Sequence, residues 1–524
     1  MKKIIGVLLV VGVFFYVSGF SALRVYPMIK KISAEKGQKI TFNFRLSNTS
    51  NTSMNVEVLL KDFFIDSNGN YFINVAFPSY SHSCRKWISV PSTAITLSPS
   101  QVMNFPITLR VPPNAAGNYY AGIAFSYSPS ESNVNGGKLS FKLAMNLFAI
   151  VAIDVVNSPH VYEAKFESIK LYNTKIDDLP KNFPDSLKKY PYVFRLDYTN
   201  QGNVVVGLKG QFRVVSDTLR RIVGNVDLNR EETICFPGIT RTIWIPFERL
   251  MPNGEYRALL SADLGEQHMT SQIFKFKITD ASVSQSPILK VDNSEIDIPL
   301  RRANTYVGGD FKIESLDYRK IDISAHLSGF MQTEDGSIVS APLDKKIFGN
   351  LKMYPSKFSV YPYSQREARI AGRAPSTMPT EGQYYALLTL VAKVAKGKEP
   401  KILKLPIVIN VGKLTKSLKV ENLTASKVGT SANVSFDIVN NGNSYVDYSA
   451  EVFVTNEEKK SMLSHPVMIK GKMIYAGFTL SASANVPVEL KKGYTVRVVV
   501  KYATGKGANG APIYKTVSKE LVVH

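Results

Sequence analysis

The sequence predicts an all-β chain built as a string of two-layer sandwiches behind an N-terminal export segment. Three observations carry this: apolar residues that alternate with period two, Asn- and Gly-rich turns between the alternating stretches, and a fourfold repeat of one opening and one closing pattern. Ile40, Phe42, Phe44 and Leu46 alternate with Thr41, Asn43 and Arg45, and Met103, Phe105, Ile107, Leu109 and Val111 repeat the pattern. Alternation of this kind puts one face of a strand on a core and the other in water. The turns are Ser67-Asn68-Gly69-Asn70, Asn200-Gln201-Gly202-Asn203 and Asn440-Asn441-Gly442-Asn443, residues suited to the tight geometry between strands. Long helical periodicity is absent.

Each repeat opens with an alternating strand, a polar turn and a second apolar strand. The openings are Ile40–Leu46 with Met54–Leu60, Tyr192–Tyr198 with Val204–Phe212, Tyr306–Ile313 with Ile321–Leu327, and Ala432–Val439 with Tyr445–Val454. The closings are Gly117-Asn118-Tyr119-Tyr120, Gly254-Glu255-Tyr256-Arg257, Gly382-Gln383-Tyr384-Tyr385 and Lys492-Gly493-Tyr494-Thr495. A Gly turn followed by Tyr near a late strand is how sandwiches lock a corner. The expected architecture is four tandem immunoglobulin-like β-sandwich domains, at residues 23–157, 158–283, 284–412 and 413–524, after a signal peptide at 1–22. Thr174–Tyr192, rich in Lys, Asp and Pro, reads as a long loop of the second module.

Lys2 and Lys3 precede an apolar run from Ile4 to Tyr16, followed by Ser18, Gly19, Ser21 and Ala22. That order of charge, apolar stretch and small residues is the layout of a secretory signal. An uncleaved anchor is the alternative, because the run approaches the roughly 17 residues of a short membrane helix. The expected location is extracytoplasmic, in the periplasm or at the cell surface, with membrane contact only through this segment if it stays uncleaved. The formal net charge of +22 is spread along the chain. In an exported protein it suits an anionic envelope polymer or a soluble basic surface, and nucleic acid is not an expected partner. A hydrophobic content of 44% with 11% aromatics excludes a disordered chain. Cys84 and Cys235 fall in different modules and read as unpaired and buried.

Leu23-Arg24-Val25-Tyr26-Pro27, Lys36-Gly37-Gln38, the alternating strand and Ser47-Asn48-Thr49 open the first module. Cys84-Arg85-Lys86-Trp87-Ile88-Ser89-Val90-Pro91 and Leu97-Ser98-Pro99 follow. Together they resemble the N-terminal domain of periplasmic pilus-assembly chaperones of the PapD-like family; the remaining modules are generic immunoglobulin-like. The resemblance implies a chaperone-like sandwich in which an early Arg and a Lys on the last strand hold a client's terminal carboxylate. The client then adds a strand along an exposed edge. Arg24 matches the first anchor by its setting. The last strand, Leu139–Phe148, presents Leu139, Phe141, Lys142, Leu143, Met145 and Leu147 as the partner-binding edge. Aligned on Leu147-Phe148, the family's Lys position holds Ala144, with Lys142 two residues away on the same face. The family has two domains and this chain four.

Motifs for chemistry are weak. Gly505-Lys506-Gly507-Ala508-Asn509-Gly510 fits a dinucleotide fingerprint, but a strand rather than a helix follows, so a Gly-rich hairpin loop is expected. Asp66-Ser67-Asn68-Gly69-Asn70 has alternating oxygen donors without a closing acidic ligand, so an Asn-Gly turn is expected instead of a calcium loop. The six histidines lack metal spacing. No catalytic residue, cofactor or metal is expected. The outward ring of each Tyr pair, in Tyr119-Tyr120 and Tyr384-Tyr385, is expected in a surface cross-strand pair, with carbohydrate stacking as a minor option. The functional expectation is a non-catalytic exported protein that binds another envelope or surface protein, with strand addition during assembly of a surface structure as its mode. Its rival is a passive stalk or adhesion spacer, and a carbohydrate-binding or enzyme accessory module is third.

Overall fold

The computed structural model describes residues 22–74, 80–127, 145–281, 286–395, 399–506 and 510–523. Strands dominate, and the chain divides into two compact units, residues 1–282 and 283–524. The export segment expected at 1–22 lies outside the described residues except for its last residue. No helix among the described residues is long and apolar enough to cross a membrane.

Unit 1 holds two sandwiches. In the first, Leu23–Tyr26, Lys39–Asn48, Val102–Arg110 and Ile88–Ser89 form a four-stranded sheet in that order. The facing sheet runs Ile29–Ala34, Met145–Val155, Gly117–Tyr127, Met54–Ile65 and Tyr71–Asn74, with Ala94–Leu97 beside Met54–Ile65. The first strand is therefore split. Leu23–Tyr26 pairs antiparallel in one sheet, and after Pro27 the chain crosses over so that Ile29–Ala34 lies parallel to the closing strand Met145–Val155. Alternating side chains fill the space between the layers: Phe44, Phe105 and Phe125 meet edge to face at 6.1 and 6.2 Å, the packing aromatic quadrupoles favour.

The second sandwich of unit 1 pairs a three-stranded sheet, Ala164–Asn173, Tyr192–Asn200 and Thr240–Phe247, with a four-stranded one, Arg221–Leu228, Lys209–Ser216, Gly254–Asp263 and Met269–Ile278. The loop expected at 174–192 folds back on the first sheet, where Phe183 packs on Tyr172 and Trp244. Four immunoglobulin-like sandwiches are present, as expected from the sequence, and the closing Tyr residues of modules 2 and 3 lock corners. The Tyr256 hydroxyl donates to Pro252 O at 2.6 Å and that of Tyr384 to Thr380 O at 2.9 Å.

Unit 2 repeats the same series. A four-stranded sheet (Leu289–Val291, Tyr306–Ser315, Gln365–Arg373, Lys352–Tyr354) faces Ile296–Leu300, Lys401–Val411, Gly382–Val394, Ile321–Gln332 and Ile338–Ala341. The last module again has three strands against four. The split first strand recurs, with Ile296–Leu300 parallel to Ile407–Val411. The four modules are thus two kinds used alternately.

Two local expectations change. The stretch after Asn-Gln-Gly-Asn was expected as a strand from Val204; the strand begins at Lys209, and Val204, Val206 and Leu208 are buried in a connecting segment. The closing strand of module 1 runs on to Val155, seven residues beyond Phe148, because Ile150–Val155 is flanked by a strand on both sides. The hairpin readings hold. Lys506 pairs with Pro512 across the Gly-rich loop, of which residues 507–509 lie outside the described residues. Asp66 Oδ1 accepts from the Asn68 and Asn70 amides as a turn does.

Candidate partner-binding edge and module junction

The closing strand Met145–Val155 pairs antiparallel with Gly117–Tyr127 along its whole length. Its other side is covered only in part. The Ile150 amide donates to Met28 O at 2.8 Å, and the parallel pairing runs from Ile150↔Ile29 to Val155↔Ala34. Over Met145–Ala149 no strand pairs with that side among the described residues. In a ladder, amides alternate between the two sides. Because Ile150 points its N–H outward, Phe148 and Asn146 do so as well, each leaving a backbone donor and acceptor for an incoming strand. Leu147 packs toward the core, while Met145 is exposed and accepts a contact from the Tyr127 hydroxyl at 3.3 Å.

Of the expected edge residues, Met145 and Leu147 are therefore placed together, on the open stretch. Leu139, Phe141, Lys142 and Leu143 lie outside the described residues. Arg24 sits on Leu23–Tyr26, exposed and opposite Ser47, in the four-stranded sheet rather than in the sheet of the closing strand. Two cations lie beside the closing strand, Lys30 and Lys31 on Ile29–Ala34, and Lys31 lines the cleft between modules 1 and 2. Sequence reasoning missed them. The signal lay in the chain beyond Pro27, where Ile29-Lys30-Lys31-Ile32 continues as a second strand.

That cleft encloses about 710 Å³, with Ile65, Tyr71, Ile150 and Ile234 on its apolar walls. Its polar end is made of close side-chain pairs. His160 Nε2 lies 3.0 Å from Asp154 Oδ1, Arg230 Nη2 lies 2.7 Å from Asp263 Oδ2, and Tyr162 stacks on His268 at 4.3 Å. Burial, then the Glu266 charge, pushes the Tyr162 hydroxyl up to about 12. Burial likewise pushes the Cys235 thiol up to about 12, and Cys84 upward. Both cysteines are unpaired and buried, so neither offers the thiolate a nucleophile needs. Among the described residues no group of three His, Cys, Asp or Glu could hold a metal ion.

The Asn-x-Gly-Asn turns do more than separate strands. They connect one sheet to the other. The first Asn, Asn200, is buried and donates to Val204 O and Cys235 O while accepting from the Gly202 amide; Asn440 does the same with Ser444, Ile474 and Gly442. The last Asn ties the modules together. Asn118 N–H donates to Asn203 O at 2.8 Å, and the Val205 amide donates to Asn118 Oδ1 at 3.0 Å. Asn203 also holds the linker, accepting from Val161 N–H and donating to Pro159 O. A Cβ at Gly117 (φ +81°) would lie 2.1 Å from Asn203 O, so only glycine permits this approach. A second tie comes from the hairpin at Asp66–Asn70, where the Thr242 amide and Arg241 Nη1 both donate to Ser67 O at 2.8 Å.

Unit 2 has the counterpart of each tie. Gln383 N–H donates to Asn443 O, the Tyr445 amide to Gln383 Oε1, the Ser481 amide to Glu334 O and Lys472 Nζ to Asp335 O. Between the ties lie aromatic clusters, Phe63–Tyr120–Phe236 in unit 1 and Phe330–Tyr385–Tyr475 in unit 2. The outward ring of each Tyr pair is therefore not on a free surface. Tyr120 and Tyr385 point away from their own cores into the neighbouring module, so these positions hold module packing where a surface pair was expected.

No protein-family model matches the chain, and no curated protein sequence matches it. Solved structures with which it shares some likeness include three chaperones. The CupB2 chaperone of Pseudomonas aeruginosa is 11% identical with a TM-score of 0.26, over 43% of this chain and 98% of that one. The YadV chaperone is 10% identical with a TM-score of 0.29, over 44% and 99%. The E. coli chaperone DraB is 14% identical with a TM-score of 0.24, over 45% and 97%. The first module is an immunoglobulin-like sandwich by its own sheet pairing.

Proposed function

We propose that this chain is an exported, non-catalytic protein-binding protein that takes up an extended strand of another envelope protein during assembly of a surface structure. The observation that carries the reading is the open side of Met145–Ala149, in line with Ile29–Ala34 on the same side of the strand. Unpaired strand edges are templates for another chain. The N-terminal charge-and-apolar segment supports export, and the cleft and cysteine chemistry supports a role without catalysis.

The test uses the full mature chain as bait in envelope extracts. Phe148→Pro removes one outward N–H and leaves the inner ladder intact, and Met145→Glu charges the edge. Both are expected to abolish capture of the partner held by the wild type. Hydrogen exchange at Asn146 and Phe148 is expected to slow in the captured complex. Unchanged capture by both variants, with both amides still exchanging freely, would refute the reading.

A passive stalk is the second reading, favoured by the ties that fix the two modules of each unit. It predicts surface display without any partner protected at Met145–Ala149.

A further inference from the structure

Each unit has one closing strand, and the two superimpose by register. Val155 pairs with Gly117 at the end of one ladder, and Val411 pairs with Gly382 at the end of the other. Counting back along both strands sets Met145-Asn146-Leu147-Phe148-Ala149-Ile150 against Lys401-Ile402-Leu403-Lys404-Leu405-Pro406. Core-facing positions are matched, since Leu403, Leu405 and Ile407 pack on their core as Leu147, Ala149 and Val151 do.

The outward positions differ in kind. Ile150, whose N–H is the first to reach the parallel strand, is replaced by Pro406, which has no N–H to offer. The parallel pairing of unit 2 accordingly starts one residue later, at Ile407↔Ile296. Phe148 is replaced by Lys404, which keeps an outward amide but carries a charge, its Nζ donating to Ile338 O of the strand at the far end of the sheet at 2.9 Å. At the start of the core-facing series, exposed Met145 is likewise replaced by exposed Lys401. Proline and lysine are the residues by which edge strands are protected from unwanted pairing. Over the same six positions, unit 1 carries neither a proline nor a charge.

We infer that strand addition is confined to unit 1, and that Pro406, Lys404 and Lys401 close the corresponding edge of unit 2. The occupant of the open edge is a single extended segment with apolar residues at alternate positions. It matches the neutral stretch Met145–Ala149 and continues the path of Ile29–Ala34 in the parallel sense. One chain then holds one client strand although its fold supplies two equivalent edges. Strand addition at unit 1 is the premise, and the closure of unit 2 is tested separately from it.

The probe is a short fluorescein-labelled peptide of alternating Ile and Thr, titrated against the full mature chain, with stoichiometry read by native mass spectrometry. Wild type is expected to bind one peptide, Phe148→Pro none, and the triple variant Lys401→Met, Lys404→Phe, Pro406→Ile two. Thermal unfolding checks that each variant is folded, and Pro406→Ala, which restores the N–H alone, is expected to fall between wild type and triple variant in occupancy. Two peptides on the wild type, or no added peptide on a folded triple variant, would overturn the closure. A peptide retained by Phe148→Pro would instead sink the unit 1 premise. The gain in the triple variant would still decide the closure.

Discussion

The two units share a fold and differ in what they put at its critical positions. In unit 1 the module junction is apolar: Phe63, Tyr120 and Phe236 pack within 6.3 Å of one another, centroid to centroid. In unit 2 the same places carry polar groups. Tyr475 replaces Phe236, and Gln332 donates to Met473 O while accepting from the Tyr475 amide. The Tyr385 hydroxyl donates to Gln383 Oε1 and accepts from the Ala476 amide, and Tyr445 donates to Glu295. The backbone ties are identical in kind, so they set the geometry. The side chains between them are free to vary, which is why one scaffold supports an oily seam in one unit and a hydrogen-bonded seam in the other.

The largest expected effect of breaking that seam is in unit 1. Phe236 is 3% exposed, and Phe236→Ala removes a buried ring from the centre of the cluster, a change that costs about 3–5 kcal/mol. Both tryptophans, Trp87 and Trp244, belong to unit 1, so tryptophan fluorescence follows this unit alone while circular dichroism follows both. The fluorescence transition in guanidinium should move to lower denaturant, with the remaining circular dichroism transition unmoved. A shift of less than about 1 kcal/mol would mean the seam contributes little to holding unit 1.

A smaller effect is expected at the ties. Asn203→Ala deletes both side-chain bonds to the linker, and Asn443→Ala deletes the equivalent bonds to Thr415 and Lys413. Each should cost about 1–2 kcal/mol and, because the ties recur, by similar amounts in the two units. Unequal costs, with Asn443→Ala near zero, would show that the polar seam of unit 2 takes over the tie.

How far these features could be read from the sequence follows from the range over which each is encoded. Alternation is local, so Ile40–Leu46 and Met103–Val111 declare their strands and core faces without any partner. The closing Gly-Tyr is also local, and the corner bonds of Tyr256 and Tyr384 span four residues. The junction is not local. Asn118 meets Asn203, and Ser67 meets Thr242, across long stretches of chain, and polar turn residues look alike whether they face solvent or a neighbouring module. Yet the alternation of module types was written in the sequence: the doubled Tyr occurs in modules one and three, Asn-x-Gly-Asn in modules two and four. Each junction takes one of each. The strand that carries Met145 and Leu147 was legible from its alternation, but its match to the strand with Pro406 needed the register of two ladders.

The smallest expected difference between the units is in their response to acid, and its sign separates them. His82 donates its Nδ1–H to Asn118 O at 2.9 Å and stacks on Tyr119. Burial holds its pKa below the ordinary 6.5, partly offset by that hydrogen bond. The unfolded chain therefore takes up this proton before the folded one, and the stability present above pH 6.5 is lost as pH falls through that value. Glu295 in unit 2 is shifted the other way. Burial raises it above the ordinary 4.5, against the opposing bond from the Tyr445 hydroxyl. The folded state takes up that proton first, so its contribution is full below 4.5 and is lost as pH rises through the raised folded value. Going from neutral pH to about pH 5, the tryptophan-monitored midpoint of unit 1 should fall, while the part of the circular dichroism change without a fluorescence counterpart holds or rises. His82→Gln should flatten the first response and leave the second alone. If the fluorescence midpoint of wild type is level across that range, the His82 site does not make unit 1 the acid-sensitive half of the chain.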